Sequence, residues 1–222
     1  MISRDVTLAS RPRGRVRPGD FAVVTATVPP VRTGQVLVRN TWLSIDPSVR
    51  MRLGAHSPRG YLPSFQPGDT LAGLCIGEVV ESAVDGFAPG DTVMHAQGYR
   101  EYAVVDAAGG GLAGAGQLTS LDTSTHRPKD YLGVLGNTGM AAWAGLVEVA
   151  GLREGDVVWV SAAAGAVGSI AARLAHLRGH TVIGSAGSES KVTRLVDEFG
   201  LDAAFEYHTD DLTAALETVA PD

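Results

Sequence analysis

The sequence of 222 residues has very little cysteine and no long apolar run. Cys75 is its one cysteine, which excludes an internal disulfide and any zinc site made from several thiolates. No stretch reaches the roughly 20 apolar residues that span a bilayer. The first residues also lack the continuous apolar segment of a secretory signal. These absences predict a cytoplasmic protein without a membrane partner.

Basic residues are outnumbered by acidic ones, and the net charge is −6. This balance gives no reason to expect nucleic acid as a partner. A polyanion could still bind a local run of alternating arginines, at Arg11, Arg13, Arg15 and Arg17. Pro12 and Pro18 interrupt that run, however, and four charges do not offset an acidic whole. We therefore interpret it as an extended, solvated entry segment.

Up to about Leu118 the pattern is typical of antiparallel β structure. The segment QVLVRNTWLSI alternates between two faces, one of which carries Val36, Val38, Asn40 and Trp42. The tripeptide Pro-Gly-Asp occurs three times ahead of a β-prone run, beginning at Pro18, Pro67 and Pro89. Short strands joined by such turns predict an antiparallel barrel or sandwich. The glycine-rich segment from Ala107 to Gly116 should be a mobile loop.

Beyond that loop the rhythm changes to alternating strands and helices. DVVWVSA, which begins at Asp156, is a continuous apolar run suited to the middle of a parallel sheet. Apolar residues then recur at helical spacing, first at Val167, Ile170, Leu174 and Leu177, then at Val192, Leu195, Val196 and Phe199. TVIGS and AAFEY supply two further strands, and LTAALETVA begins a third helix. This order predicts one mononucleotide-binding half of a doubly wound fold.

A glycine turn, AAAGAVGS, joins the first of these strands to its helix at residues 162–169. Gly165 leaves room for a pyrophosphate at the backbone, and Gly168 lets the helix pack close to the strand. The helix that begins near Ala166 directs unpaired N–H groups at the phosphates. The pattern is A-x-x-G-x-x-G, since alanine replaces the first glycine of the usual fingerprint. A tight turn with no ligand is the alternative interpretation.

The residues after the second strand favour NADP(H) over NAD(H). No carboxylate stands from Gly184 to Ser188, where NAD-binding folds usually carry one for the ribose hydroxyls. Lys191 can neutralise a 2′-phosphate, and Ser188 can donate a hydrogen bond to it. Glu189 argues the other way, because it is a like charge close to the proposed phosphate.

Several segments, in a fixed order, carry a family resemblance: LASRPRG, LSIDPSVRMR, FQPGDTLAGLCIGEVVES, FAPGDTV, YLGVLGNTGMAAW, AAAGAVGS and GSAGSESK. With them the chain resembles the zinc-independent medium-chain dehydrogenases/reductases of the leukotriene B4 dehydrogenase, prostaglandin reductase and 2-alkenal (double-bond) reductase group. The resemblance implies a GroES-like antiparallel β-barrel domain, residues 1–125, followed by an incomplete α/β Rossmann domain, residues 126–222. It also implies NADPH-dependent reduction of the C=C bond of α,β-unsaturated ketones and aldehydes.

The same resemblance assigns individual residues. The cofactor side corresponds to the phosphate turn and to a lysine and a tyrosine near the adenosine end, namely Ala166, Val167, Gly168, Ser169, Lys191 and Tyr207. The family's substrate-side motif D-P-Y-M-R reads DPSVR here, so that Ser48 replaces an aromatic wall. Tyr61 and Phe65 stand at or near a second aromatic wall, although a place in the barrel core fits them equally well. No catalytic acid is assigned.

Other interpretations stay open. Family members continue for roughly another half-domain, so this chain is expected to lack the later Rossmann strands and to leave its first parallel strand with an unpaired edge. It can then be a non-catalytic module completed by a complementing chain, and a homodimer is equally undetermined. A quinone reductase of the same superfamily would share the fold and the cofactor. Zinc chemistry is disfavoured, because IGEVV replaces a G-H-E motif and Gly179 separates His176 from His180.

Overall fold

The computed structural model describes residues 1–109, 117–208 and 211–219, and the chain forms two compact units, residues 1–132 and 133–222. The first unit contains two antiparallel sheets, in which β1 (Ile2–Leu8) pairs with β2 (Phe21–Thr27). Five more strands pair in the order β6-β3-β4-β5-β7, namely β3 (Gln35–Leu43), β4 (Cys75–Ser82), β5 (Thr92–His95), β6 (Tyr102–Asp106) and β7 (Thr119–Ser120). A short helix, α1 (Pro47–Arg52), follows β3. Most of the loop predicted at residues 107–116 lies outside the described residues.

The alternation predicted along β3 is wrong in part. Val36, Leu37 and Val38 are all buried, with at most 5% of their surface exposed, whereas Trp42 is 48% exposed. β3 lies inside the sheet between β4 and β6, and its register shifts between Leu37 and Val38 and again between Asn40 and Trp42. Such irregularities break the two-residue period, because each extra residue moves the following side chains to the other face.

The three Pro-Gly-Asp turns are closed by the same type of hydrogen bond. In each turn the aspartate side chain accepts the backbone N–H of the residue before the proline, at 2.7 Å, and the residues are Asp20 with Arg17, Asp69 with Gln66 and Asp91 with Ala88. Proline fixes φ at the first turn position, and the aspartate closes the turn from three residues away. The repeated tripeptide is therefore a repeated turn.

The second unit holds a parallel sheet in the order β10-β9-β8, formed by β8 (Val157–Val160), β9 (Thr181–Ala186) and β10 (Ala203–Glu206). Its helices are α2 (Asn137–Trp143), α3 (Ala166–Leu177), α4 (Glu189–Asp197) and α5 (Leu212–Val219), and a π-helical segment, Ala144–Val149, continues α2. The predicted order of strands and helices is confirmed, and so is the fold class of an antiparallel β domain plus part of a Rossmann sheet. Among the described strands, β8 lies at one edge of this sheet, as predicted.

The apolar residues that recur at helical spacing on α3 are buried only in part, since Ile170 and Leu174 pack against the core. Val167 and Leu177 are 42% and 68% exposed, while Ala172 and Ala175 are fully buried. The helix thus packs against β8 and β9 through alanines, whose small side chains allow a close approach of helix and sheet. A hydrophobic period identifies the helix, but side-chain size selects the face in a tightly packed site.

Candidate cofactor site

The candidate cofactor site begins where β8 ends. After Val160 the chain turns through Ala162, whose φ of +48° lies in the left-handed region that alanine rarely adopts. The Gly165 N–H donates to the Ala162 carbonyl at 2.8 Å, and the Ala163 N–H donates to the Ser185 carbonyl of β9 at 2.9 Å. The turn is therefore held by its own backbone and by the neighbouring strand.

Close backbone approach limits the side chains that the turn can carry. A Cβ atom at Gly168 would lie 2.4 Å from the Ala162 carbonyl oxygen and 2.9 Å from the Ala163 Cα, well inside van der Waals contact. A Cβ atom at Gly165 would lie 3.1 Å from the same carbonyl oxygen, which is tight but less severe. Gly168 thus allows α3 to start directly against the turn, and Gly165 leaves an exposed backbone at its entrance.

The first turn of α3 offers free backbone donors. Gly165 is the N-cap residue of α3, and no side chain caps the helix at that position. Within the described residues, no backbone acceptor outside the helix engages the N–H groups of Ala166, Val167 and Gly168. The Ser169 N–H is already used by the Gly165 carbonyl, at 2.9 Å. Unpaired donors at the positive end of a helix dipole form a binding site for an anion such as a diphosphate.

Ser188 and Lys191 follow the carboxyl end of β9, the strand that pairs in parallel with β8. Because the carboxyl ends of adjacent parallel strands lie at one edge of a sheet, this segment and the glycine turn share that edge. The Ser188 carbonyl accepts the Lys191 N–H at 3.0 Å, so that the lysine lies in the first turn of α4. Its side chain is exposed, and no partner for its ammonium group is found in the described part of the chain.

Tyr207 follows the carboxyl end of β10, at the same end of the parallel sheet. Its N–H donates to the Ala186 carbonyl at 3.2 Å, and its ring is 50% exposed beside His208, with 4.5 Å between the ring centroids. A Cβ atom at Gly187 would lie 2.6 Å from the Tyr207 hydroxyl oxygen. A glycine at position 187 therefore lets the tyrosine lie against the backbone at the tip of β9. The ends of three adjacent strands thus bring together the glycine turn, Lys191 and Tyr207.

The predicted substrate-side residues lie in the first unit, and they differ in how far they are buried. Ser48 is half-buried on α1, and Tyr61 is 41% exposed. Phe65 is 4% exposed, packs in a core cluster with Val49, and has the Arg52 guanidinium carbon 3.8 Å from its ring centroid. Burial lowers the pKa of Arg52, and the nearby Tyr61 acts in the opposite direction. The geometry makes Phe65 a core residue beneath α1, while Ser48 and Tyr61 keep accessible surface.

A buried polar cluster in the first unit escaped the sequence analysis. Antiparallel pairing of β4 with β5 places Cys75 opposite His95, and both side chains are fully buried. The Gln97 N–H donates to His95 Nδ1 at 3.1 Å, which leaves the proton on Nε2, 3.0 Å from the Asn40 side-chain oxygen. The Asn40 amide in turn donates to the carbonyls of Gln97 and Arg100, at 3.1 and 2.9 Å. Strand pairing alone brings these residues together, so no local sequence motif predicts the cluster.

The cluster keeps both titratable groups neutral. Burial, with a smaller contribution from the charge of Arg100, lowers the pKa of His95 to about 4. Burial also raises the pKa of the Cys75 thiol to about 12, against a small opposing effect of Arg100. A neutral thiol is a poor nucleophile, so the cluster is built for structure. A cavity of about 370 Å³ adjoins it, lined among others by Trp42, Cys75, Tyr99 and Arg100.

The described residues hold no group of three or more His, Cys, Asp and Glu side chains that could bind a metal ion. Helix α3 ends at Leu177, and Gly179 follows with a φ of +85°. His176 and His180 therefore do not share one helical face. No helix in the described ranges is both long and apolar enough to cross a membrane.

Comparison with known proteins shows what the chain is similar to. Residues 4–111 match a family described as the N-terminal domain of oxidoreductase. Over 224 residues each, and 99% of its own length, the chain is 34% identical to the NADP(+)-dependent 2-alkenal reductase of Nicotiana tabacum and 35% identical to prostaglandin reductase 1 of Oryctolagus cuniculus. The predicted resemblance is confirmed.

The structural comparison extends the likeness to both units. The chain is similar to CurA from Vibrio vulnificus in complex with NADPH, with a TM-score of 0.85 and 31% identity over 97% of this chain. The chain spans 63% of the tobacco reductase, 59% of the rabbit reductase and 61% of the CurA chain. The two units together thus correspond to about three fifths of these relatives.

Proposed function

We propose that this chain binds NADPH and forms part of an enzyme that reduces the carbon–carbon double bond of α,β-unsaturated ketones and aldehydes. The main support is the cradle at residues 162–169, where unpaired N–H groups stand at the start of α3 beside two small, close-packed glycines. The chain's similarity to an NADP(+)-dependent 2-alkenal reductase supports the same proposal. Bound NADPH would supply the hydride that adds to the β-carbon of such a substrate.

In this proposal the diphosphate lies against the exposed backbone from Gly165 to Gly168. Its charge is stabilised by the helix N-terminus, and the absence of side chains at both glycines lets it approach. Ser169, whose hydroxyl donates to the Ala166 carbonyl at 3.3 Å, stands one residue further into the helix and can turn that hydroxyl toward a phosphate oxygen.

Lys191 and Ser188 are proposed to bind the 2′-phosphate that distinguishes NADPH from NADH. Both follow β9, and neither is preceded by a carboxylate between Gly184 and Ser188. The exposed ammonium group of Lys191 has no competing acid partner among the described residues. Tyr207, half-exposed at the same edge, is proposed to line the adenosine end.

On the substrate side, Ser48 and Tyr61 are proposed to contact the unsaturated carbonyl compound, because both keep accessible surface. Phe65 is proposed to support the substrate wall from below, through its ring contact with Arg52 of α1. The protein's share in the reaction is to position the two reactants and to stabilise the negative charge that develops on the carbonyl oxygen.

The cofactor proposal is tested by Lys191→Ala, with Lys129→Ala as control. These are the two lysines of the chain, and Lys129 lies in the other unit, 5.9 Å from the Trp42 ring centroid. We expect Lys191→Ala to weaken NADPH binding about tenfold, as one charge-assisted contact is lost, and to leave NADH binding unchanged. Fluorescence titration with both nucleotides measures this. Equal NADPH affinity in the wild-type and Lys191→Ala proteins would refute the 2′-phosphate assignment.

A non-catalytic nucleotide-binding module is a second candidate, favoured by the edge position of β8. Among the described strands β8 pairs only with β9, so the backbone on its other side can pair with a further strand. Oxidation of NADPH by the chain alone, with a simple enone and then with a quinone, separates the candidates. Turnover of the enone supports the reductase, faster turnover of the quinone supports a quinone reductase, and nucleotide binding without turnover supports the module.

A further inference from the structure

The arginine run at residues 11–17 lines a concavity that the proposed reductase chemistry does not use. Its volume is about 660 Å³, and its lining consists of Ser10, Arg11, Arg13, Arg15, Arg17 and Asp20. This volume falls within the range of small-molecule sites in proteins. We call this concavity the arginine pocket. It lies wholly in the first unit, whereas the nucleotide cradle lies in the second.

The segment that carries the arginines is fastened to α1 and its neighbours. The Arg11 guanidinium donates to the Leu53 and Gly54 carbonyls and, at 2.8 Å, to the Gln66 side-chain oxygen. From the other side, the Arg50 guanidinium of α1 donates to the Gly14 carbonyl at 3.0 Å. Two arginines thus hold the segment in place, so the pocket does not depend on the segment's own secondary structure.

The remaining arginines of the pocket are left for a ligand. Arg13 and Arg15 are exposed, and in the described part of the chain no hydrogen bond or ion pair engages either guanidinium group. Asp20 is the one acid in the lining, and its carboxylate already accepts the backbone N–H of Arg17 at 2.7 Å. The pocket therefore gathers like charges with little internal compensation, in a chain whose net charge is −6.

We propose that the arginine pocket binds a small anion that carries several phosphate charges, such as pyrophosphate or the diphosphate of a nucleotide. Guanidinium groups match phosphate oxygens through paired N–H donors and stay charged at every physiological pH. A single carboxylate could neutralise only one of the four arginines, whereas a diphosphate offers oxygens to several of them at once. The pocket also lies beside α1, the helix that bears Ser48, so a phosphate-bearing tail of a substrate and a free polyphosphate share the required chemistry.

The test is calorimetric titration of the full chain with pyrophosphate, in the presence of saturating NADP⁺ so that the nucleotide cradle is filled. The variant is Arg13→Ala/Arg15→Ala, and the control is Arg32→Ala/Arg153→Ala, which removes two exposed arginines elsewhere. We expect the first variant to bind pyrophosphate at least tenfold more weakly than the wild type and the control to bind within twofold of it. Circular dichroism melting of both variants checks that they fold.

Coenzyme A, titrated in the same way, separates the two sources of phosphate. Tighter binding of coenzyme A than of pyrophosphate, lost in Arg13→Ala/Arg15→Ala, supports a nucleotide tail, and equal affinities support a free polyphosphate. Three results overturn the proposal: pyrophosphate binding that does not saturate, an Arg13→Ala/Arg15→Ala variant that binds like the wild type, and binding to phosphatidylserine vesicles in place of pyrophosphate.

Discussion

The glycine turn at residues 162–169 and the buried cluster of Asn40, Cys75 and His95 are built by opposite means. The turn uses backbone groups and small residues, and its contacts come within a few residues of one another or from the next strand. The cluster uses polar side chains that three strands bring together over more than fifty positions of sequence. The turn is therefore sensitive to added volume, and the cluster is sensitive to added charge.

The largest effect is expected from Gly168→Ala, which adds volume to the turn. Its Cβ atom would lie 2.4 Å from the Ala162 carbonyl oxygen, so α3 must move away from the strand. Overpacking of this kind costs about 3 kcal/mol of unfolding free energy, and we expect NADPH affinity to fall at least tenfold. Trp143 and Trp159 lie in the second unit, so urea unfolding followed by their fluorescence in a Trp42→Phe background measures the loss.

Gly145→Ala is the matched control for that substitution, because no atom lies within 4 Å of its added Cβ. It should leave NADPH binding unchanged and should not lower the unfolding free energy, because alanine costs about 1 kcal/mol less than glycine inside a helix. If Gly168→Ala behaved like this control, close packing would not explain the glycine. The claim that the turn is sensitive to added volume would then be wrong.

Acidification should act on the other region, through His95. Its pKa is about 4 in the folded chain, below the ordinary value of 6.5, so the unfolded chain binds the additional proton as pH falls. The stability that neutral His95 contributes is fully present above pH 6.5 and is lost progressively as the pH falls to about 4. At about 1.4 kcal/mol for each pH unit between the two pKa values, the loss is about 3 kcal/mol.

Cys75 provides the measurement, since it is the one cysteine and is fully buried beside His95. Its reaction with 4,4′-dithiodipyridine, which labels thiols at acid pH, reports opening of the first unit as urea is added. The pH dependence should be smaller by about 3 kcal/mol in His95→Gln and unchanged in His126→Gln, which changes an exposed histidine. Retention of the full pH dependence by His95→Gln would assign it to other groups.

The smallest effect is expected from Ala162→Gly. A left-handed conformation costs a non-glycine residue about 1–2 kcal/mol, and glycine loses about 0.5–1 kcal/mol more backbone entropy than alanine on folding. The net expectation is a gain of up to about 1 kcal/mol in the stability of the second unit, with NADPH affinity retained. Ala164→Gly, in the same turn without a positive φ, should instead lower stability. A loss of stability in Ala162→Gly would show that φ is not strained there.

Much of the second unit could be predicted because its signals are local. The glycine turn, the strand before it and the helix after it are consecutive in sequence, and their order is the one that the structure shows. The burial of α3 could not be predicted in the same way, because Ala172 and Ala175 carry a weaker hydrophobic signal than Val167 and Leu177. Side-chain size decides the buried face only once the helix has come close to the sheet.

Less of the structure of the first unit could be predicted from the sequence. Its turns follow from Pro-Gly-Asp, but the bulges in β3 and the core position of Phe65 follow from pairing and packing with distant segments. Ser188 and Lys191 follow from their place after the second parallel strand, whereas Tyr207 follows from the family resemblance. All three stay predictions, as do Ser48, Tyr61 and Phe65 on the substrate side. No pattern pointed to His95, since its partners Asn40 and Cys75 come from other strands.

The sequence by itself determined the repeated turns, the order of strands and helices in the parallel unit and the place of the phosphate turn, because short-range sterics and hydrogen bonds govern these features. Only the tertiary structure decided which face of α3 is buried, which polar side chains meet inside the first unit, and that alternating arginines line one pocket. These depend on how close separate segments approach one another, and that distance is set by the packing of the whole unit.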